Sequence, residues 1–163
     1  MPVYLGFGGN VGDSAAAFRT ALGAVNGFLR AVRMSSLYRT APRYFTDQAP
    51  FLNAVVFGVT DLGPLELLAA TQAVEAAHGR DRSRELPKGP RTLDIDLLLY
   101  GDAVLDLPGL VVPHPGLVDR LFALVPLLEL APDLTDPRTG RTFASLAALL
   151  PGQGIYLEAE AGL

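Results

Sequence analysis

The chain has 163 residues, a formal net charge of −4 and no cysteine, and half of its residues are hydrophobic. This length is sufficient to bury a core as one domain, and the lack of cysteine excludes disulfides, thiolate metal sites and a cysteine nucleophile. From the length we expect a single domain over residues 1–163. The negative charge disfavours a general nucleic-acid or membrane surface, so we expect the partners to be small molecules.

The beginning of the sequence carries no pattern of an export signal. Residues 1–6 lead directly into a glycine turn, without the charged start and long apolar stretch of a secretory signal. The leucine-rich runs elsewhere are shorter than the ~20 apolar residues that span a bilayer. We therefore expect a cytoplasmic protein, and we expect it to be a monomer or a weak dimer.

The first part of the chain predicts a strand, a helix and two further strands. Apolar runs bounded by turn residues indicate the strands, and apolar residues at helical spacing indicate the helix. In chain order these are a strand over residues 3–7, a helix from Asp13 or Ser14 to about Val32, a strand over residues 33–40 and a strand over residues 51–60.

The elements predicted for the rest of the chain complete an order of strands and helices that is typical of one fold class. They are a helix from Pro64 to Gly79, a strand over residues 93–100, short strand-like pieces at 103–107 and 110–112, and helical patterns at 115–130 and 143–150. The order strand, helix, strand, strand, helix, strand is that of a ferredoxin-like α+β core (βαββαβ), in which helices cover an antiparallel sheet. We expect this core with a C-terminal elaboration.

Two aspartates alternate along the predicted strand over residues 93–100. Because successive side chains of a strand point to opposite faces, Asp94 and Asp96 share one face, about 7 Å apart at Cα. Two carboxylates beside so many leucines are costly to bury without a cation, and oxygen ligands on a rigid strand suit Mg²⁺. Alone, the pair is also compatible with an exposed strand face that carries two solvated acids.

A cluster of basic residues directly precedes this strand. Its members are Arg80, Arg82, Arg84, Lys88 and Arg91. Phosphoryl transfer depends on neutralising charge more than on covalent help, so metal-binding carboxylates beside arginines favour that chemistry. The alternative is a solvated surface loop.

Phe51 and Asn53 share one face of the predicted strand over residues 51–60. An aromatic ring can stack on a flat heterocycle while an amide hydrogen-bonds with its edge, so the pair would suit a guanine-like ring. A core phenylalanine and a turn-forming asparagine are the plainer alternative.

The glycine-rich stretch over residues 6–12 does not carry the pattern of a nucleotide-binding loop. Val11 stands where the third glycine of a dinucleotide fingerprint belongs, and no Gly-Lys-Ser/Thr is present. We therefore predict that these glycines allow a tight turn and a close approach of the backbone.

Three further polar residues are candidates for nucleotide contacts. His114 lies between two prolines that restrict its backbone, and it could donate to a phosphate oxygen. Gln72 and Glu75 share one helix face and could hold ribose or base atoms, although a plain solvent face is the alternative.

Together these residues resemble the 6-hydroxymethyl-7,8-dihydropterin pyrophosphokinase family of folate biosynthesis. Residues 89–101, Gly-Pro-Arg-Thr-Leu-Asp-Ile-Asp-Leu-Leu-Leu-Tyr-Gly, match the family signature along its full length. Shorter pieces at residues 8–10, 37–40, 51–54 and 112–114 extend the likeness over nearly the whole chain.

The resemblance implies transfer of a diphosphate from ATP to the hydroxymethyl group of a reduced pterin, with AMP as the other product. It implies two Mg²⁺ ions bound by Asp94 and Asp96, and a catalytic role for Arg80 and Arg91. The implied pterin contacts are Gly8, Thr40, Ala41, Pro42, Arg43, Phe51, Asn53 and Phe122. The implied ATP contacts are Gln72, Glu75, Arg82, Arg84, Arg91, Leu97, His114 and Arg120.

Some positions depart from the family pattern. Ala41 and Arg43 replace residues that are often proline and hydrophobic, and the basic loop is one residue longer than in some relatives, so either Arg82 or Arg84 fits the third phosphate-binding position. Residues after Asp133 have no functional assignment. A metal-dependent phosphotransferase or nucleotidyltransferase with another acceptor, and a non-catalytic ferredoxin-like binding module, are the alternative functions.

Overall fold

The structure is a computed structural model that describes residues 1–40, 50–79 and 92–160. The predicted basic loop over residues 80–91 lies outside these ranges, as does the predicted loop over residues 41–50 except for its last residue.

Up to Tyr100 the elements follow the order strand, helix, three strands, helix and strand. The strands are β1 (Pro2–Gly9), β2 (Arg30–Met34), β3 (Leu37–Thr40), β4 (Phe51–Val59), β5 (Asp94–Tyr100), β6 (Leu105–Leu107), β7 (Leu110–Val112) and β8 (Ile155–Ala159). The helices are α1 (Ser14–Val25), α2 (Pro64–Ala77), α3 (Leu121–Leu130) and α4 (Phe143–Ala148), with a 3₁₀ turn at Leu117–Asp119. Within the described ranges, no helix combines the length and the apolar character needed to cross a membrane.

One antiparallel sheet organises the fold. Its strands lie in the order β5, β1, β4, β3 and β8, and β2 is also paired with β4. β1 lies between β4 and β5 and is antiparallel to both, while β6 and β7 form a separate hairpin. This arrangement confirms the predicted α+β, ferredoxin-like core with helices on an antiparallel sheet and further elements after it.

The two faces of the sheet are covered by different helices. On one face, α1 and α2 bury side chains such as Phe18 and Leu67 against strand residues such as Leu5. On the other face, α3 and α4 pack side chains such as Leu124 and Phe143 against the sheet. Because strand residues alternate between faces, both faces of β1 are apolar over much of its length.

The first helix is shorter than its spacing predicts. α1 ends at Val25, and the side-chain amide of Asn26 donates to the carbonyl of Leu22 at 2.9 Å, which satisfies one of the last helical carbonyls. Leu29 is nevertheless 4% exposed within the core. The predicted helix to about Val32 was wrong because a buried residue at helical spacing does not itself have to be helical.

The predicted strand over residues 33–40 is two strands, β2 and β3, that meet at Ser35 and Ser36. The hydroxyl of Ser35 accepts from the N–H of Val55 at 2.9 Å, so a side chain takes a place in the ladder. The N–H and hydroxyl of Ser36 donate to the carboxylate of Glu129 on α3, at 2.8 and 3.0 Å. The break in the strand thus ties the sheet to α3.

Strand β8 has no counterpart in the sequence prediction. It pairs with β3 at the sheet edge, and Tyr156 and Leu157 are both about half exposed, at 53% and 51%. An edge strand with exposed neighbours lacks the alternation of buried and exposed residues on which strand prediction depends.

The connection between α3 and α4 is held by Asp136, which is 2% exposed. Its carboxylate accepts from the backbone N–H of Arg138 at 2.9 Å and from Nη2 of the same residue at 3.0 Å. Burial alone would raise the pKa of Asp136, but the hydrogen bonds and charge of Arg138 outweigh it and hold the pKa below the ordinary 3.8.

We expect Asp136→Asn to lower the free energy of unfolding near neutral pH by about 1 to 3 kcal/mol, because a neutral amide cannot replace these charge-assisted bonds. A depressed pKa stabilises the folded state above the unfolded pKa, and this stabilisation is lost as the pH falls through the folded pKa. The difference between the variant and the wild type should therefore shrink below pH 3.8. Urea titrations of both proteins at neutral and acid pH measure this difference in the free energy of unfolding. A difference that does not change with pH would contradict the hydrogen bonds between Asp136 and Arg138.

Candidate active site

A cavity opens where α3 and α4 leave part of the sheet uncovered. Strands β1, β4 and β5 form its floor, and the segment from His114 to Ala123 forms its rim. The cavity brings together nine residues that the sequence predicted for the site: Gly8, Thr40, Phe51, Asn53, Asp94, Asp96, His114, Arg120 and Phe122.

Two glycines lie opposite the two aspartates. In the pairing of β1 with β5, Gly8 is the partner of Asp94 and Gly6 is the partner of Asp96. Gly8 leaves room beside Asp94, whereas the side chain of Leu98 lies 3.4 Å from where a β-carbon of Gly6 would stand. Asp94 and Asp96 line the cavity together, as strand alternation predicts, and the side chain of Asp96 is 37% exposed.

Gly9 permits the close approach that was predicted for the glycine-rich stretch. A β-carbon at this position would overlap the backbone carbonyl of Thr92 and would lie 3.2 Å from the hydroxyl of Ser14. Thr92 precedes β5 by two residues, so the absence of a side chain at Gly9 lets the start of the aspartate-bearing strand lie against β1.

A bulge in β5 places His114 beside the aspartates. The pairing shifts between Tyr4 and Leu5, which leaves Leu98 as the extra residue of β5. The carbonyl of Leu98 accepts from the N–H of His114 at 2.9 Å. This bond fixes the backbone of His114 over the strand, and its Nε2 lies 3.8 Å from Oδ2 of Asp96.

The hydrogen bonds of His114 define which ring nitrogen carries the proton. Nδ1 accepts from the N–H of Gly116 at 3.0 Å, so a neutral ring has its proton on Nε2, the atom near Asp96. Burial and the nearby charge of Arg120 lower the pKa of His114, against an opposing effect of Asp94. His114 is therefore a neutral N–H donor at the cavity near neutral pH.

Asn53 is oriented by its neighbours on the cavity floor. Its Nδ2 donates to the hydroxyl of Thr40 at 2.9 Å and to the carbonyl of Phe51 at 3.3 Å. Its Oδ1 lies on the side of Gly8, 3.6 Å from where a β-carbon would stand. The amide therefore presents an acceptor over Gly8, and Phe51 and Asn53 line the same cavity as their shared strand face predicts.

Arg120 and Phe122 come from the start of α3 and form part of the rim. The guanidinium carbon of Arg120 is 5.7 Å from the centre of the Phe122 ring, within the range of a cation–π contact. The guanidinium also rests against Gly116, where an added β-carbon would stand 2.6 Å from it. Gly116 thus provides the space that Arg120 occupies.

Three predicted ATP contacts do not line this cavity. Glu75 is 1% exposed, and its carboxylate accepts from the N–H of Ile95 at 2.8 Å from the α2 side of the sheet. Leu97 is 4% exposed in the core on that same face, and Gln72 is exposed on α2. Their predicted contact with ATP stays a prediction, and the structure gives Glu75 a second role in fixing β5.

Several predicted residues fall outside the described ranges. They are Ala41, Pro42, Arg43, Arg80, Arg82, Arg84 and Arg91. Their predicted roles in pterin binding, phosphate binding and catalysis stay predictions.

The sequence prediction missed several cavity residues, among them Gly6, Leu98 and Leu117. For Gly6 a signal was present, because it stands two positions before Gly8 and therefore on the same strand face. The same signal marks Leu98, which stands two positions after Asp96 on β5.

The two aspartates fit a magnesium site in which the protein supplies carboxylate ligands. Both are hard oxygen donors on one strand face, and Mg²⁺ is commonly held by one or two carboxylates together with waters and substrate phosphates. In the part of the chain that the structure describes, no group of three or more His, Asp or Glu side chains is arranged to hold a metal. Asp94 and Asp96 would supply the carboxylates of such an ion.

Comparisons with known proteins agree with the geometry of the cavity. A family model described as 7,8-dihydro-6-hydroxymethylpterin-pyrophosphokinase (HPPK) matches residues 4–132. The chain is 44% identical over 155 residues to the 2-amino-4-hydroxy-6-hydroxymethyldihydropteridine pyrophosphokinase of Pseudomonas aeruginosa, covering 94% of each. It is 40% identical over 129 residues to the protein of the same name from Bacillus subtilis, covering 78% of this chain and 76% of that one.

Longer proteins contain a similar region. The chain is 42% identical over 156 residues to folic acid synthesis protein fol1 of Schizosaccharomyces pombe, covering 94% of this chain but only 21% of that protein. A crystal structure of wild-type Plasmodium falciparum HPPK-DHPS superposes with a TM-score of 0.70 at 15% identity, covering 90% of this chain and 44% of that one. That structure supports the fold, and the family model and the closer sequences support membership. The chain belongs to the 7,8-dihydro-6-hydroxymethylpterin-pyrophosphokinase family.

Proposed function

We propose that the chain transfers the diphosphate group of ATP to the hydroxymethyl group of 6-hydroxymethyl-7,8-dihydropterin and releases AMP. Family membership supports pyrophosphokinase chemistry in folate biosynthesis. The observation that carries the proposal for this chain is the row Asn53, Gly8 and Asp94, in which residues of three neighbouring strands are paired side by side.

The spacing of this row suits an acceptor of the size of a pterin. Neighbouring strands lie about 4.8 Å apart, so Asn53 and Asp94 are separated by roughly 10 Å across Gly8. A flat bicyclic ring held at Asn53 would extend its hydroxymethyl group over Gly8 toward the aspartates. The glycine leaves this path open because it has no side chain.

Asp94 and Asp96 would hold Mg²⁺, and we include two ions in the proposal. Bound ions of this type neutralise the charge of the triphosphate. The aspartates set the position of the reacting phosphate relative to the acceptor, because both are fixed on β5 by its pairing with β1.

The remaining cavity residues would bind and orient the two substrates. Phe51 and Phe122 offer aromatic faces for the pterin ring, and Oδ1 of Asn53 would accept from an N–H on its edge. The Nε2–H of His114 would donate to a phosphate oxygen, and the guanidinium of Arg120 would add positive charge there.

The other predicted contacts complete the proposal. Arg80 and Arg91 would stabilise the transferred group, with Arg82 or Arg84 as a further phosphate contact. The backbone of Thr40, Ala41, Pro42 and Arg43 would contact the pterin, and Gln72, Glu75 and Leu97 would contact ATP.

Phosphorus NMR of the protein with ATP, Mg²⁺ and the reduced pterin alcohol tests the proposal. We expect AMP and the pterin diphosphate in equal amounts, and no reaction when a chelator removes the metal. ADP as the product would indicate another type of phosphotransferase. AMP without the pterin diphosphate would indicate another acceptor. Bound pterin with unchanged ATP would indicate a binding module. Each of these three results would overturn the proposal.

We expect Gly116→Ala to weaken the affinity for an unreactive ATP analogue by about 1 to 2 kcal/mol, or roughly 5- to 30-fold. The backbone at Gly116, with φ −88° and ψ −3°, is open to alanine, so the new methyl group would displace the Arg120 guanidinium rather than strain the chain. Calorimetry measures the affinity, and Gly23→Ala, whose β-carbon meets nothing within 4 Å, is the control. Equal affinities in the two variants would contradict the role of Arg120.

A further inference from the structure

The side chain of Gln153 binds the backbone on both sides of Arg120. The N–H of Leu121 donates to Oε1 of Gln153 at 2.9 Å, and Nε2 of Gln153 donates to the carbonyl of Asp119 at 3.0 Å. One planar amide thus supplies an acceptor and a donor to the two neighbours of a single residue, as an adjacent strand would. Arg120 is held in this way from a position 32 residues beyond Leu121.

The local sequence supplies no substitute for these two bonds. Arg120 is the N-cap of α3 and has the extended backbone usual at that position, with φ −124° and ψ 104°, but its side chain makes no capping hydrogen bond. The first N–H groups of any helix have no partner within the helix. The amide of Gln153 therefore does what an N-cap side chain usually does, and it also fixes the end of the preceding 3₁₀ turn.

The same segment also binds the opposite wall of the cavity. Strand β8 begins two residues after Gln153, and its first residue, Ile155, is paired with Thr40 of β3. The hydroxyl of Thr40 accepts from the amide of Asn53 at 2.9 Å. Residues 153–159 therefore connect the rim that carries Arg120 to the strand edge that orients Asn53.

We propose that Gln153 is a positioning residue for the diphosphate transfer, because it sets where Arg120 and Phe122 lie over the cavity floor. This inference rests on the proposed function of the cavity, and it concerns a residue beyond the range 4–132 that the family model matches. A small displacement of the rim would misalign both substrates, and misplacement by about 1 Å can cost about 100-fold in rate.

Gln153→Glu separates positioning from stability. The carboxylate still accepts from the N–H of Leu121 and is favourable at a helix N-terminus, so the melting temperature should fall less than in Gln153→Ala. It cannot donate to the carbonyl of Asp119, so one side of Arg120 is released. We expect kcat/KM to fall by about tenfold or more. Unchanged kinetics in this variant would overturn the proposal.

A double-mutant cycle tests whether Gln153 acts through the rim. Pterin affinity is measured by calorimetry in the presence of an unreactive ATP analogue, for Gln153→Ala, Phe122→Ala and the double variant. We expect Gln153→Ala to weaken binding by about tenfold alone and to have little effect once Phe122 is absent, because coupled residues are not additive. Gly152→Ala is the matched control, since its β-carbon would meet nothing within 4 Å.

Two results of the cycle would overturn the proposal. The first is that the losses of pterin affinity in Gln153→Ala and Phe122→Ala add up in the double variant. The second is that Gln153→Ala lowers the melting temperature but leaves the pterin affinity unchanged. Either result would mean that Gln153 only stabilises the fold. Affinity is measured without turnover, and wild-type turnover is measured by phosphorus NMR. An inactive wild type would therefore refute the proposed function, whereas an active wild type with an uncoupled cycle would refute only the role of Gln153.

Discussion

Asp94→Asn and Asp96→Asn are each expected to lower kcat by about three orders of magnitude or more, because charge neutralisation of the triphosphate carries most of the catalysis. Asparagine keeps the size of the side chain but removes the charge that attracts a divalent ion. The fold should survive, because the change relieves the repulsion between two carboxylates on one strand face.

The measurement is single-turnover kinetics at saturating Mg²⁺ and ATP, together with thermal unfolding of each variant. Asp106→Asn is the matched control, since it changes an exposed acid on β6. We expect the control to keep wild-type turnover. Turnover within tenfold of the wild type in either cavity variant would show that the aspartates do not hold the metal.

The residues that the sequence predicted to lie together, and that the structure brings to one cavity, are those whose arrangement depends on local geometry. Strand alternation alone places Asp94 beside Asp96 and Phe51 beside Asn53, because the period of two is set by the backbone. All four line one cavity. The order of strands and helices also follows from local patterns, and it was sufficient for the ferredoxin-like core.

The parts that could not be predicted depend on pairing between distant segments. The pairing of Gly8 with both Asn53 and Asp94 requires the register of three strands, which no local pattern encodes. The position of His114 beside the aspartates also depends on a contact between distant segments, because its N–H donates to the carbonyl of Leu98 at the bulge in β5. Gln153 contacts the rim through side-chain bonds to a backbone, and such bonds leave no periodic trace in the sequence.

The position of Glu75 illustrates a different limit of sequence reasoning. From their shared helix face, Gln72 and Glu75 were candidates for nucleotide contacts, with a plain solvent face as the alternative. The structure exposes Gln72 and buries Glu75 against β5. A buried carboxylate that accepts from the N–H of Ile95 holds the strand that carries the aspartates. Spacing identified the helix face but could not show how deeply each side chain lies.

Phe51→Ala and Asn53→Ala are expected to weaken pterin binding selectively. Loss of stacking should cost Phe51→Ala about 1 to 3 kcal/mol, by analogy with stacking of bases on aromatic side chains. Loss of the Oδ1 acceptor should cost Asn53→Ala a similar amount, about 1 to 3 kcal/mol, because polar groups on the ring edge would lose their partner. The affinity for ATP should hardly change, since both residues lie at the end of the row away from the aspartates.

Calorimetry with the pterin and with an unreactive ATP analogue measures both affinities for each variant. Phe57→Ala is the matched control: Phe57 lies on the same face of β4, but its ring packs 5.2 Å from Tyr4 and beneath Arg33, outside the cavity lining. That variant should lose stability without losing pterin affinity. Equal losses for both ligands in Phe51→Ala and Asn53→Ala would mean that these residues support the core, because a selective loss requires direct contact with the pterin.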